Sequence, residues 1–278
     1  MGFAQVSGAV SDGTGPQLDY HALRLANRKP PEFLEKGMVC DFSFASWDLP
    51  ADQSLVSQNV PVQLDTAGKT MSLQDNSAGK YLHLAAGARN GLLTPFADAR
   101  EWTYGGLFML EPPQPTTAYH IFAGTATSLS AEGGEFLFAS PSRGIGVGVR
   151  GYSANINAAS LAQLVAQGFS DTSTSTMVFA AVTSKLTGNV SAPTETTHIL
   201  FVGAPAPLIM SGTGIKTLST AQKRLSIGNA HSAAANFDDI PIRCGRFFAG
   251  AGSRTVEELT AMYKRAKVIG ARRGLNVF

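Results

Sequence analysis

The chain of 278 residues is poor in charge and in long apolar runs. Charged residues make up 15% of it, against roughly 25% in typical globular domains. With 22 basic and 20 acidic residues the net charge is +2, which gives no electrostatic basis for nucleic acid as a main partner. No window approaches the ~18 apolar residues that a membrane span requires, so we expect no membrane insertion.

Cysteine and histidine are also scarce. Cys40 and Cys244 lie far apart, each in an alternating, strand-like segment, and no Cys-x-x-Cys pair indicates a redox or zinc site. The five histidines lack the spacing of metal ligands, and no serine stands in a Gly-x-Ser-x-Gly elbow. The residues themselves predict two buried thiols in a reduced compartment.

Turn residues and short alternating segments are abundant. The chain has 29 glycines and 14 prolines, and short apolar-polar segments recur every 8 to 15 residues, whereas only residues 158–167 and 255–267 have a helical pattern. This favours an all-β sandwich over alternating α/β units. The strongest strand patterns are Met38–Phe44, Trp102–Leu110, Glu135–Ala139, Met177–Thr183 and His198–Gly203.

The last fifth of the chain has the most ordered pattern. Arg224–Asn229 alternates and ends in a Gly-Asn turn, and residues 236–244 alternate again. That register predicts burial for Phe237, Ile240, Ile242 and Cys244, and the same alternation predicts burial for Ile227 and Phe247.

A helix is predicted directly after these strands. Thr255-Val256-Glu257-Glu258 has the form of a capping box, and Gly270 is predicted to end the helix. Val256, Leu259, Met262 and Ala266 form its apolar stripe. Basic residues in its last turn complement the helix dipole, the alternative being a phosphate-binding patch.

This order resembles the closing segment of the concanavalin A-like, laminin-G-like jelly rolls. The matching features are Leu225-Ser226-Ile227-Gly228-Asn229, the spacing of Phe237 and the strand after it, and a Glu-Glu-Leu helix start with Tyr263 four residues after Leu259. The resemblance implies an all-β, two-sheet antiparallel jelly-roll sandwich with one or two short helices over residues 36–268. An extended N-terminal arm (1–35) precedes it and a basic tail (269–278) follows.

Within that superfamily the chain resembles virion proteins of tailed bacteriophages, of the tail fibre, spike or decoration type. The supporting features are small-residue-rich strands, the Gly/Asp-rich arm, the basic ending and a Met1–Ser7 segment without the composition of a signal peptide. The resemblance implies a protein made in the host cytoplasm and carried on a virion. Its expected partners are other virion subunits bound through the arm, further copies of itself, and a host surface glycan.

The resemblance also implies a possible disulfide and a possible calcium site. The terminal strands of such sandwiches often lie side by side, which would allow a disulfide between Cys40 and Cys244. Members often hold Ca²⁺ at the rim, and Asn229, Asp238 and Asp239 bring oxygen ligands into one loop. The alternative is that these residues only form turns. No other cofactor is expected.

The candidate ligand-binding residues lie in that loop and on one strand. His231, Asn236, Asp238 and Asp239 offer donors and acceptors at a strand turn. Trp102 and Tyr104 share one strand face and would form an aromatic platform for a sugar, unless they pack in the core.

Enzyme signatures are weak, and we predict no catalytic residues. Gly146-Val147-Gly148-Val149-Arg150-Gly151 matches a dinucleotide fingerprint, but its alternation predicts a strand with a glycine face. Glycosidases built on this fold use a pair of carboxylates at a characteristic spacing, and the sequence has no pair with that spacing. We therefore predict a non-enzymatic, glycan-binding or host-adhesion virion protein. The alternatives are a purely structural virion subunit and, third, a glycan-cleaving enzyme.

Overall fold

The computed structural model describes most of the chain beyond residue 90 and short segments before it. The described residues are 40–44, 63–64, 71–76, 79–85, 91–111, 119–126, 133–170, 176–219, 223–229, 231, 241–272 and 274–278. The chain divides into the units Met1–Leu34 and Glu35–Phe278, and every described residue belongs to the second. The predicted arm lies outside the described residues, so its docking role stays a prediction.

Sixteen strands and two helices occupy the described part. The helices are α1 (Leu161–Ala166) and α2 (Val256–Arg272). The strands are β1 (Cys40–Ser43), β2 (Gln63–Leu64), β3 (Met71–Asn76), β4 (Gly79–Leu84), β5 (Gly91–Ala97), β6 (Trp102–Met109), β7 (His120–Gly124), β8 (Glu135–Ala139), β9 (Ile145–Val149), β10 (Ile156–Ala159), β11 (Thr176–Leu186), β12 (Glu195–Val202), β13 (Leu208–Ile215), β14 (Arg224–Gly228), β15 (Ile242–Ala251) and β16 (Asn276–Val277).

The strands form two sheets. The large sheet has nine strands in the order β13-β12-β11-β6-β15-β4-β3, with β1 paired to β15 and β16 to β11. The small sheet has the order β10-β9-β8-β7-β14-β5-β2. All pairings are antiparallel except that of β16 with β11. The predicted all-β, two-sheet sandwich with two helices is confirmed.

One core lies between the sheets and explains the alternation read from the sequence. Ile227 of β14 and Phe247 of β15 are fully buried in it, and Ile242 is nearly so, as predicted. Phe237 and Ile240, predicted to be buried with them, lie outside the described residues. Packing side chains from both inner faces into one layer is what stabilises an aligned sandwich.

A second core lies between the outer face of the large sheet and helix α2. Phe179, Phe201 and Phe248 point outward from strands β11, β12 and β15 and meet Leu259 and Met262 of the helix. Strand β11 is therefore buried on both faces from Thr176 to Ser184, which accounts for its nearly continuous apolar sequence.

The capping box that begins helix α2 is confirmed, but the predicted end is wrong. Glu258 N–H donates to Thr255 Oγ1 at 3.2 Å, and Thr255 N–H donates to Glu258 Oε2 at 2.8 Å. The helix continues through Gly270 to Arg272. Gly270 is retained for packing, because a side chain there would collide with Val277. The chain leaves the helix at Gly274, whose φ is +77°.

The segment predicted to be a basic tail contributes to the sandwich. Asn276 and Val277 pair in parallel with Thr176 and Met177 at the start of β11. Tyr263 Oη donates to the Phe278 carbonyl at 2.8 Å. These contacts tie the last residues both to the large sheet and to α2.

The two cysteines do not meet. Strands β1 and β15 are neighbours, as the resemblance implies, but Cys40 lies opposite Ala249, five residues from Cys244 on β15. Five residues of strand span about 16 Å, beyond the ~7 Å that a disulfide tolerates. Cys244 is a buried free thiol, and burial raises its pKa far above the ordinary value.

Among the described residues no helix is both long and apolar enough to cross a membrane.

Helix α2 offers a matched test of the second core. Met262 is 2% exposed and Val268, on the same helix, is 51% exposed. We expect Met262→Ala to lower the free energy of unfolding by about 2–5 kcal/mol, because it leaves a cavity under the helix. Val268→Ala should change it by less than about 0.5 kcal/mol. Urea unfolding measures both, and equal effects would contradict the packing described.

Candidate functional site

The candidate site lies on the outer face of the small sheet, where two phenylalanines of one strand pair with two glycines of the next. Phe136 and Phe138 of β8 point outward and lie opposite Gly148 and Gly146 of β9. The Gly-x-Gly-x-x-Gly segment thus forms a strand, as predicted, and its glycines lie against bulky side chains of the neighbouring strand. No helix begins directly after these glycines, as a dinucleotide site would require.

A surface depression of about 420 Å³ lies over this face. Tyr119, half-buried, packs edge-on against Phe138 with the ring centroids 5.4 Å apart. The residues that line the depression are all uncharged: Tyr119, Phe138, Ser140, Ser142, Gly144, Ile145, Asn155, Ala159, Ser160 and Gln163. It therefore combines one aromatic surface with several hydroxyl and amide groups.

One wall of the depression is the turn between β8 and β9. Ser140 N–H donates to the Gly144 carbonyl at 2.7 Å, and Gly144 N–H donates to Ser140 Oγ at 2.9 Å. Arg143 has the left-handed φ of +64°, which is unusual for a residue with a side chain. Its guanidinium is buried, donates to the Leu110 carbonyl at 3.0 Å and lies 4.8 Å from the Phe169 ring centroid. These contacts hold the turn in place.

The opposite wall is the start of helix α1. Ser160 is the N-cap, with Gln163 N–H donating to its Oγ at 3.2 Å and its own N–H donating to Gln163 Oε1 at 2.9 Å. The predicted helix over 158–167 is confirmed in its inner part, and Gly168 follows it with φ +92°. The capping box fixes Gln163 beside the depression while both residues stay exposed.

The residue that follows Tyr119 is a buried histidine on which the Arg143 charge acts. His120, 5% exposed at the start of β7, is next to Tyr119 in the chain. Burial, and then the positive charge of Arg143, lower the pKa of His120 to about 4, so the imidazole is uncharged at neutral pH. The Arg143 guanidinium is directed inward, away from the lining.

A cluster of buried ionisable side chains joins the two sheets behind this face. Glu135 begins β8 and points inward, where Trp102 Nε1 of β6 donates to its Oε1 at 3.0 Å. His198 Nε2 of β12 lies 2.8 Å from Glu135 Oε2, and Lys216 Nζ lies 2.5 Å from the same oxygen. All four side chains are inaccessible or nearly so.

Lys216 is the second centre of the cluster. Its Nζ donates to Asp98 Oδ1 and to the Ala99 carbonyl, both at 2.6 Å. It also lies 4.6 Å from the centroid of the Trp102 ring, a favourable cation–π position. Asp98 Oδ2 accepts the Ser219 N–H at 2.7 Å, so every charged group has an opposite charge or several donors around it.

His198 is hydrogen-bonded on both sides. Tyr152 Oη donates to the Thr196 carbonyl at 2.5 Å and lies 2.8 Å from His198 Nδ1. On the other side of the ring, His198 Nε2 donates to the Glu135 carboxylate. The Lys216 ammonium lies between the Glu135 and Asp98 carboxylates and pairs with both.

The Glu135 carboxyl is ionised in this setting. Burial raises its pKa, but the charges and hydrogen bonds of Lys216 and His198 outweigh burial and hold the pKa at about 2. Glu135 and Asp98 share Lys216, yet neither reaches solvent. A glycosidase needs an accessible pair with one protonated acid, so this pair is structural.

The structure corrects the predicted aromatic platform. Trp102 is 2% exposed and Tyr104 is fully buried, with their rings 5.0 Å apart in the core. Burial and the nearby Glu135 carboxylate raise the pKa of Tyr104. These two side chains pack between the sheets and cannot stack on a sugar at the surface.

The predicted rim loop is only partly described. Asn229 is 5% exposed at the end of β14, and His231 Nε2 lies 2.6 Å from the Arg224 carbonyl. Asn236, Asp238 and Asp239 lie outside the described residues. In the described part of the chain no group of three or more His, Cys, Asp or Glu has the arrangement of a metal site. Calcium at this loop therefore stays a prediction.

The sequence reasoning missed both the buried cluster and the depression. A signal for the cluster was present, because Glu135 is the one charged residue of an otherwise apolar strand. The depression had no comparable signal. Its lining comes from four separate segments, the neighbourhood of Tyr119, the β8–β9 turn, Asn155 and the start of α1, which only the sheet topology brings together.

Comparison with known proteins shows a shared fold without a shared family. No protein-family model and no curated protein matches the chain. Among solved structures, the botulinum neurotoxin serotype D binding domain is 8% identical, with a TM-score of 0.50 over 82% of this chain and 50% of that one. Domain 4 of AbnA, a GH43 extracellular arabinanase from Geobacillus stearothermophilus, is 15% identical, with a TM-score of 0.50 over 82% of this chain and 98% of that one.

A third similar structure is an enzyme. Trypanosoma rangeli sialidase in complex with sialic acid is 12% identical, with a TM-score of 0.50 over 87% of this chain and 34% of the sialidase. The chain thus spans about half the length of the neurotoxin domain and about a third of the sialidase. At these identities the similarity establishes the β-sandwich fold.

The buried cluster predicts a large effect from a small chemical change. Glu135→Gln keeps the shape but leaves Lys216 and His198 without their shared anion, so we expect unfolding free energy to fall by about 3–5 kcal/mol. Glu101→Gln, at a partly exposed carboxylate, is the control and should cost less than about 0.5 kcal/mol. Chemical denaturation compares the two, and a Glu135→Gln protein as stable as the control would contradict the cluster's role.

The low pKa of Glu135 also predicts a pH dependence. Because the folded-state pKa of about 2 lies below the ordinary value of roughly 4.3, the stabilisation is fully present above about pH 5. It is lost as pH falls toward 2. The stability gap between wild type and Glu135→Gln should therefore stay constant from pH 6 to about pH 5 and narrow from there to pH 3 in urea titrations. A gap independent of pH would refute the assignment.

Proposed function

We propose that this chain is a non-enzymatic, glycan-binding β-sandwich whose sugar site is the depression between the β8–β9 turn and helix α1. The observation that carries the proposal is the lining: an aromatic ring and at least five hydroxyl or amide side chains, with no charge, on an open surface. Sugars present both apolar C–H faces and hydroxyl groups, so they need this mixture.

The geometry supports a short oligosaccharide as the ligand. A volume of about 420 Å³ falls within the range of small-molecule sites. Tyr119, backed by Phe138, offers the ring against which a sugar face packs. Ser142 and Gln163, both exposed, offer hydrogen bonds from opposite walls.

The absence of charge in the lining supports a neutral glycan. A carboxylate sugar would need a cationic partner to offset its loss of hydration. The Arg143 cation in the β8–β9 turn is buried and bonded to the Leu110 carbonyl. Neutral hexose or pentose polymers are therefore the proposed ligand class. Domain 4 of AbnA, which has the same fold, was solved in complex with arabinotriose, so a sandwich of this shape is able to carry a neutral pentose chain.

The proposed setting is the surface of a phage virion, where the chain would act in host adhesion. This part rests on the sequence resemblance described above. Weak single sites suit such a setting, because linked copies raise avidity by about 10²–10⁴ without new contacts. Detection of the chain in purified virions by mass spectrometry tests it, and recovery only from the soluble fraction of infected cells would contradict it.

We expect Asn155→Ala and Gln163→Ala each to weaken glycan binding about three- to tenfold, because each removes one hydrogen bond worth about 0.5–1.5 kcal/mol. Val165→Ala, on helix α1 but 43% exposed outside the lining, is the control and should bind as wild type. A glycan array of neutral and acidic polysaccharides, followed by calorimetry, measures this, with thermal unfolding to check that each variant folds.

The same array distinguishes the remaining candidates. Loss of binding in Asp238→Ala or Asp239→Ala, with Asn155→Ala unaffected, would move the site to the predicted rim loop. Binding of acidic glycans alone would contradict the neutral-ligand assignment. Binding to no glycan would favour the purely structural subunit, and reducing sugar released from a bound polysaccharide would favour an enzyme.

A further inference from the structure

Strand β13 forms an open edge of the large sheet. Leu208–Ile215 pairs with β12 through eight consecutive residue pairs, and within the described residues no strand pairs with its other side. The helix α2 that covers part of this sheet contacts Phe179, Phe201 and Phe248 instead. Among the strands that the structure describes, the outer side of β13 therefore has no partner.

The direction of those groups follows from one side-chain contact. Thr196 Oγ1 donates to the Gly214 carbonyl at 3.2 Å, so the backbone of Gly214 faces β12. Because backbone groups alternate in direction along an antiparallel strand, those of Ile209, Ser211 and Thr213 face outward. The Ile215 carbonyl is covered by Gly151, which limits the open stretch to residues 209–213.

This edge lacks the sequence and structural features that keep β-sheet edges from associating. Residues 208–215 contain no charged residue and no proline, and the pairing with β12 has no bulge. By contrast β10, an edge strand of the small sheet, is only four residues long and carries a register shift between Asn157 and Ala159. An unprotected, uncharged edge is an association surface.

Apolar side chains at the same edge are also exposed. Ile209 and Met210 each keep 42% of their surface in contact with solvent. The nearest basic residue along the chain, Lys216, is fully buried and bonded to Asp98, so its charge is not presented at this edge. Both apolar area and free backbone groups are available to one partner.

We propose that the partner is a second copy of this chain, paired antiparallel through β13 about a two-fold axis at Ser211. This register places Ser211 opposite its own copy, Ile209 opposite Thr213 and Met210 opposite Gly212. It uses the outward backbone groups of residues 209, 211 and 213 in six hydrogen bonds. Self-complementarity is what a two-fold interface requires.

The pairing would join the two large sheets into one continuous sheet. It also gives each dimer two of the surface depressions. The interface stands without the glycan proposal, because it uses strand β13 and none of the residues that line the depression.

A charge placed on the axis tests the interface. In the Ser211→Lys dimer the Cα atoms of the two lysines would be about 5.5 Å apart, because residue 211 pairs with its own copy. Like charges directly opposite each other destabilise strand pairs. Sedimentation velocity over a concentration series should show a wild-type dimer and at least a tenfold weaker association for Ser211→Lys. Val268→Lys, at an exposed position of α2, adds the same charge elsewhere and should dimerise as wild type.

A crosslink tests the register without relying on a destabilised variant. Ser211→Cys brings two thiols within the 4.4–6.8 Å Cα separation that disulfides favour, so mild oxidation should give a covalent dimer, and Val268→Cys should not. A monomeric wild type at all concentrations would overturn the proposal. So would a dimer unaffected by Ser211→Lys, or equal crosslinking of the two cysteine variants.

Discussion

The ion cluster centred on Glu135 is the constraint on which the arrangement of the two sheets depends. A carboxylate buried between sheets is costly unless it is paired and hydrogen-bonded, and Glu135 meets that condition with Trp102, His198 and Lys216. Its partners come from the other sheet and from the segment after β13. The cluster can therefore be satisfied only when the two sheets are in one relative position.

That position determines what the small sheet presents to solvent. With Glu135 directed inward, strand alternation directs Phe136 and Phe138 outward. Phe138 then backs Tyr119 in the depression, while Arg143 anchors the neighbouring turn from beneath. Charge is concentrated inside this region and is absent from the surface lining, which is why a neutral ligand suits the depression.

The sequence predicted the fold well where alternation was local. The strands around Ile227 and Phe247 and the capping box at Thr255 follow from patterns within ten residues, and they are as expected. The end of helix α2 was wrong because Gly270 serves contact with Val277, a tertiary reason that no local pattern contains. Trp102 and Tyr104 were open to two interpretations, since a strand face alone does not tell whether a second sheet covers it.

The candidate site lay beyond sequence reasoning for the same reason. Tyr119, Ser142, Asn155 and Gln163 are separated by loops and become neighbours only through the order β10-β9-β8-β7. Glu135 could have been singled out as a charge in an apolar strand, but its partners His198 and Lys216 are 63 and 81 residues away. Both the depression and the buried ion cluster depend on contacts between residues far apart in the chain. The spacing of residues along the sequence does not reveal such contacts.

The most direct test of the glycan-binding account is a crystal structure of the protein soaked with a neutral oligosaccharide that it binds. The account predicts a sugar ring against Tyr119, with hydrogen bonds to at least one side chain on each wall of the depression. A sugar held at the 229–239 loop instead, or an empty depression in crystals where the ligand is bound elsewhere, would contradict it.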